Sequence, residues 1–219
     1  MNGSESTIRV PTTDELANAV KAFADDWGAV DEILYRTCRD HPGHTDRRSV
    51  MAKVVLIRRT YSAGIERLVE PPEGGQAVTK IGDCLWKQHV EVDAIIGRLH
   101  GIAEPLSPDD MKTIVRQHGR LDALLTQNLT RGRSPRSFVS KYLHFHCPVV
   151  PIFDDYSVRS LTRRVRWSEN AKPFERPAGA DEEYFRFCTR LMRLYTACRS
   201  AGIAATVKQL DALLWQVPT

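Results

Sequence analysis

Residues 134–160 read SPRSFVSKYLHFHCPVVPIFDDYSVRS. Ser134-Pro135 is a helix-start signature, because proline tolerates the first turn, where its missing N–H would have no partner anyway. The basic, aromatic-rich stretch behind it predicts a helix over 135–146. Cys147-Pro148 stops that helix, since proline disfavours helical backbone in the residue before it. The apolar run Val149-Val150-Pro151-Ile152-Phe153 is a connection, and Asp154-Asp155 opens a second basic helix reaching about Arg166. One aspartate at a helix start contributes about 1 kcal/mol as a cap. Two exceed what capping requires, so the second carboxylate is available as a base or as a stabiliser of developing positive charge.

Outward from this stretch, every strong periodic signal is helical. Thr12 or Thr13 caps a helix predicted through Asp26, followed by a second over Gly28–Arg39. Val50, Val54, Ile57, Tyr61 and Ile65 recur at steps of three and four, which marks one apolar face of a helix over 46–69. A loop of Pro71-Pro72-Glu73-Gly74-Gly75 precedes a long helix over 77–99. Ser107-Pro108-Asp109-Asp110 starts another, running to about Leu129. Helices over 181–200 and 205–215 complete the chain. No alternating strand pattern occurs, so the expected class is all-α, a compact multi-helix fold with residues 1–11 as a flexible N-terminal tail.

The 219 residues carry a formal net charge of +4. That charge is concentrated: Arg131, Arg133, Arg136, Lys141, Arg159, Arg163, Arg164 and Arg166 face only Asp154 and Asp155 between residues 131 and 166. Such a patch suits a polyanion. The five cysteines are widely spaced, without a CxxC pair, which argues for reduced thiols in a cytoplasmic protein. The polar start, MNGSESTIRVPTTDE, has no apolar signal region, and no stretch approaches the ~18 apolar residues of a membrane span. His144, His146 and Cys147 suggest metal binding, but the two histidines point about 200° apart on a helix and cannot easily share one ion. Neither a metal nor another cofactor is expected.

The pair of helices at 107–129 and 135–146, joined by a tight turn, leaves amide groups free at the start of the second. Those donors and the helix dipole favour a phosphate. Arg131, Gly132, Arg133, Ser134, Arg136 and Ser137 surround that point. His144, His146, Arg159 and Arg163 are further candidates for nucleic-acid contact.

A helical hairpin, a helix, and a Val-Pro-Ile-Phe-Asp turn opening another helix resemble the helix-hairpin-helix DNA glycosylase superfamily. SKYLHFH followed by a proline–aromatic–aspartate turn also looks like uncharacterised bacterial relatives of these enzymes. The resemblance covers roughly thirty residues. It implies an all-α fold of two lobes with a cleft: residues 46–146 with the hairpin, and residues 12–45 plus 154–219. It implies binding to duplex or single-stranded DNA and removal of a damaged base by hydrolysis of its N-glycosidic bond. By resemblance Asp154 is the catalytic carboxylate, although the doubled aspartate leaves Asp155 as an alternative. Asp155 would otherwise cap the helix, and Lys141 would hold phosphate or stand in as a displaced catalytic lysine. The chain departs from the family in three ways. Its hairpin has Gly132 alone instead of a two-glycine turn, and Arg136-Ser137 stand where bifunctional members carry a lysine. It also lacks the four-cysteine cluster of some members. Two other readings stay open: a nucleic-acid-binding module without chemistry, and a helical adaptor for an acidic protein partner.

Overall fold

The computed structural model describes residues 8–61, 63–65, 69, 76–129 and 132–216. Among them are nine α-helices and no strand: α1 Thr13–Asp40, α2 Arg47–Tyr61, α3 Gln76–Lys87, α4 His89–His100, α5 Pro108–Leu129, α6 Arg136–His146, α7 Asp155–Arg164, α8 Glu182–Ser200 and α9 Val207–Trp215. No helix is long and apolar enough to cross a membrane among the described residues.

Local chemistry sets most of the boundaries. Thr12 caps α1 by accepting the Glu15 amide at 3.1 Å, and Ser107 and Asp110 bond reciprocally at the start of α5. Three helices differ from expectation. The two predicted segments at 13–26 and 28–39 form one 28-residue helix. The buried positions Leu16, Ala19, Phe23, Asp31, Leu34 and Cys38 continue at helical spacing straight past Gly28, and a mid-helix glycine costs only about 1 kcal/mol. The segment expected to run to residue 69 stops as helix at Tyr61, ahead of Gly64 at φ +63°. The segment expected over 77–99 breaks at Gln88 (φ −98°, ψ 23°) into α3, which lies mainly on α2, and α4, which lies mainly on α5. Ile8, placed by expectation in a tail, pairs with Val165 as an antiparallel bridge, and Pro11 is buried.

α6 is the central element. It touches α1, α2 and α5, and every residue from Phe138 to His146 is buried. A helix buried on all sides is normally apolar all round, but α6 carries Ser140, Lys141, His144 and His146. Their polar atoms can be satisfied only from inside the protein, and all four side chains but His146, whose Nε2 has no partner among the described residues, are so satisfied. Ser140 manages this locally: its hydroxyl donates to the Ser137 carbonyl (3.1 Å) and accepts the Phe153 amide (3.0 Å). This pins the Val-Pro-Ile-Phe connection to the central helix.

Candidate active site

Asp154, not Asp155, caps α7. Its extended backbone (φ −150°, ψ 173°) lets Oδ1 accept the Ser157 amide at 2.8 Å, while Oδ2 accepts the Trp215 indole N–H at 3.1 Å. The side chain is buried at 9% exposure, whereas Asp155 is exposed in the first turn. The cap falls on Asp154 because its backbone is extended while Asp155 is already helical, so only the Asp154 side chain reaches back over the free α7 amides.

Lys141 shares this region. It is 3% exposed, and its Nζ donates to the Tyr61 carbonyl and the Ser137 hydroxyl, both at 3.2 Å. Burial lowers its pKa, and the carboxylates of Asp154, Asp211 and Asp155 partly offset that. Asp211, from α9, is pushed well above the usual carboxylate range, first by burial and then by repulsion from Asp154 and Asp31. Asp31 accepts the Tyr61 hydroxyl and pairs with Lys208 at 3.4 Å. Three acids and Lys141, from four separate segments, thus meet in a low-dielectric interior, and Lys208 reaches Asp31 from its partly exposed edge. Asp154 stands close enough to Asp211 for its charge to add to the effect of burial in holding the Asp211 proton.

Aromatic rings wall the site. Trp215 lies 5.3 Å from Trp27, 6.1 Å from both Tyr61 and Phe23, and 5.9 Å from the exposed Tyr156, centroid to centroid. A groove of about 220 Å³ between α1 and α9 reaches Asp31 at the edge of the site, with Phe23, Tyr35, Lys208 and Ala212 also among its lining residues. Asp31 and Asp211 were not among the sequence candidates, yet a signal existed. Each acid occupies a position on the apolar stripe of its helix, between Phe23 and Leu34 on α1 and between Leu210 and Leu214 on α9.

The remaining candidates separate. Gly132, at φ +86°, makes the exposed α5–α6 turn, and Arg133 is exposed beside it; Arg131 lies outside the described residues. Ser134 donates to Asp122 at 2.7 Å. Arg136 was expected to hold phosphate, but its guanidinium grips Asp181 at 2.9 and 3.0 Å, bonds Glu183, and lies over the Phe153 ring. A bidentate carboxylate pair already satisfies the donors a phosphate would use. Ser137 is committed to Lys141.

His144 and His146 also leave the expected interface, because α6 is central instead of superficial. His144 is 1% exposed. Its Nδ1–H donates to the Val150 carbonyl at 2.7 Å, so Nε2 is the acceptor for the Tyr35 hydroxyl at 2.5 Å. Burial holds this ring down at about 4. His146 is held well below its usual value, again mainly by burial. Arg159 and Arg163 remain exposed on α7; Arg159 donates to the Asp155 carbonyl and lies over Tyr156. Among the described residues no group of three or more His, Cys, Asp or Glu side chains is arranged to hold a metal ion.

Comparison of the chain with protein-family models, with curated proteins and with solved structures found no match.

Proposed function

We propose that this protein binds DNA on a helix-hairpin-helix glycosylase-like scaffold and removes a damaged base as a monofunctional glycosylase. One observation carries the reading: the aspartate that opens α7 is held by Trp215 and Ser157 beside the buried ammonium of Lys141. In this scheme water adds to the sugar C1′ as the C1′–N bond breaks, and the base leaves with the bonding pair. Asp154 activates the water or stabilises the oxocarbenium-like sugar. Lys141 acts through the carboxylate, as a fixed positive neighbour. The aromatic wall of Trp215, Tyr156 and Trp27 offers faces for an extruded base. Gly132 with Arg133 at the turn, and Arg159 with Arg163 on α7, are the proposed contacts to the DNA backbone. A cleft between two lobes belongs to the same reading.

The test is base release from labelled duplexes and single strands carrying a panel of damaged bases, developed with hot alkali. Asp154→Asn should lower release by about 10²-fold or more and retain DNA binding. Equal release by the variant removes Asp154 from the mechanism. A second reading, binding without chemistry, draws on the fact that both oxygens of Asp154 already accept internal hydrogen bonds. It predicts salt-sensitive retardation of the same DNA and no product. If neither product nor retardation appears, an acidic protein partner is the remaining reading of the basic surface.

A further inference from the structure

Three arginines stand in one stripe on the outer side of α8. Arg186, Arg190 and Arg193 are four and three residues apart and so share a face, while Phe185, Phe187, Cys188, Leu191 and Met192 turn into the core. The stripe lies against the segment that leaves α7. The guanidinium carbons of Arg186 and Arg190 stand 5.5 and 5.4 Å from the centroid of the Trp167 ring, and Arg193 donates to the Arg166 carbonyl at 2.7 Å. Arg166 and Arg163 are exposed nearby.

Arg190 is the unbalanced charge of this stripe. Arg186 pairs with Glu182 at 2.6 Å, and the nearby Glu169 is taken up by Lys172 at 3.0 Å and by the Trp167 indole. No carboxylate pairs with Arg190 among the described residues, and its buried Nε has no hydrogen-bond partner. Burial and the charges of Arg186 and Arg193 both press against its protonated form. A guanidinium held beside like charges with no carboxylate of its own, as Arg190 is, costs stability, and an anion bound there relieves the cost. Planar guanidinium groups ordered by stacking on a tryptophan suit the oxygens of a phosphate.

We infer that Arg190 and Arg193, with Arg166, form a second grip on the DNA backbone, at the far end of α7 from Asp154. This rests on the DNA-binding reading above and adds the course of the strand. The ten residues of α7 span about 15 Å, or roughly four nucleotide steps at 3.4 Å each. A strand with its target sugar at Asp154 runs along Arg159 and Arg163 and reaches the arginine stripe about four nucleotides away.

The experiment is the salt dependence of binding to a fluorescein-labelled duplex carrying an abasic-site analogue. It is read by anisotropy for wild type, R190Q/R193Q and R190K/R193K, with folding followed by circular dichroism. The logarithmic salt slope should shrink by about 2 in the glutamine pair, near 0.9 per lost phosphate contact, and return in the lysine pair. Wild type gives a check that needs no variant: trimming one flank of the duplex below about four base pairs from the lesion should reduce the slope similarly. Wild-type binding whose slope is unchanged by the glutamine pair overturns the second grip and leaves the DNA reading standing. Should that pair fail to fold, a slope indifferent to trimming either flank overturns the grip in its place. Absence of salt-dependent binding by wild type overturns both.

Discussion

Lowering the pH from 7 to 5 asks four buried rings, His146 among them, to take protons that the fold resists. Burial holds His44, His118 and His144 each at about 4, against about 6.5 in an unfolded chain. Above pH 6.5 the rings are neutral in both states, and the stability they contribute is complete. Between pH 6.5 and 4 the unfolded chain binds protons that the native rings do not, so stability falls. Below 4 the native rings titrate too and the loss levels off. At pH 5 this linkage costs about 2 kcal/mol per ring and about 6 for the three. Asp122 works in the opposite direction. Burial raises it to about 6, so it gains its proton first in the native state and returns about 1 kcal/mol by pH 5. His146, also held down by burial, adds to the loss, and Asp211, also held up, offsets it, so the net loss stays at about 5 kcal/mol, comparable to the whole stability of a typical domain. Urea unfolding followed by far-ultraviolet circular dichroism, repeated from pH 7 to pH 5, reads this directly. Between pH 6 and 5 unfolding should take up about two protons, a slope near 2.5 kcal/mol per pH unit. His118→Phe keeps an aromatic ring against Tyr184, where the native rings stack at 3.6 Å, but removes one titrating group. Its slope should fall by about one proton, with a pH-independent loss of about 1 kcal/mol for the hydrogen bond to the Arg136 carbonyl. Stability that stays flat between pH 7 and 5, or a variant whose curve runs parallel to wild type, refutes the argument.

Other perturbations test the site and its frame. Lys141→Met keeps the length of the side chain but strips the buried acids of their ammonium neighbour; denaturant unfolding at pH 7 should show a loss of about 3 kcal/mol. Borohydride added during turnover should trap no protein–DNA adduct, because Lys141 is 3% exposed and bonded internally; a trapped adduct mapped to Lys141 would show it acting as a nucleophile. Gly119→Ala places a Cβ 2.9 Å from the Ala180 Cα and 3.0 Å from the Gly179 carbonyl oxygen. Since backbone cannot yield there as a flexible side chain would, the expected cost in urea unfolding is about 2 kcal/mol, and a neutral result would contradict the close approach. Thr206→Ala breaks the capping box with Gln209 at the start of α9, the helix that carries Asp211 and Trp215; a melting curve should register about 1 kcal/mol.

Several features were legible in the chain because their causes are local. The all-helical class follows from apolar residues at steps of three and four, and that spacing needs no knowledge of what lies opposite. The starts at Thr12 and Ser107 were readable because a cap bonds an amide only two or three residues ahead; at α7 the doubled aspartate placed the start but not which of the two carboxylates caps it. The break at Gln88 was less readable, since helical propensity changes little there and the neighbouring helices decide which way each segment packs; after Tyr61 only Gly64 signalled a stop.

Tertiary structure alone decided which side chains meet. The basic, histidine-rich pattern of α6 reads as a surface helix, but it becomes the central helix because α1, α2 and α5 close around it. That burial turns His144 and His146 from candidate phosphate contacts into neutral core rings. Arg136 meets Asp181, forty-five residues away, and so leaves the proposed phosphate site. Asp154 and Lys141, thirteen residues apart, were nominated from the sequence; Asp31 and Asp211 join them only when α1 and α9 pack together. Propensity and capping act over a few residues and can be read along the chain. Burial and charge pairing depend on distances in space, which exist only once the helices have packed.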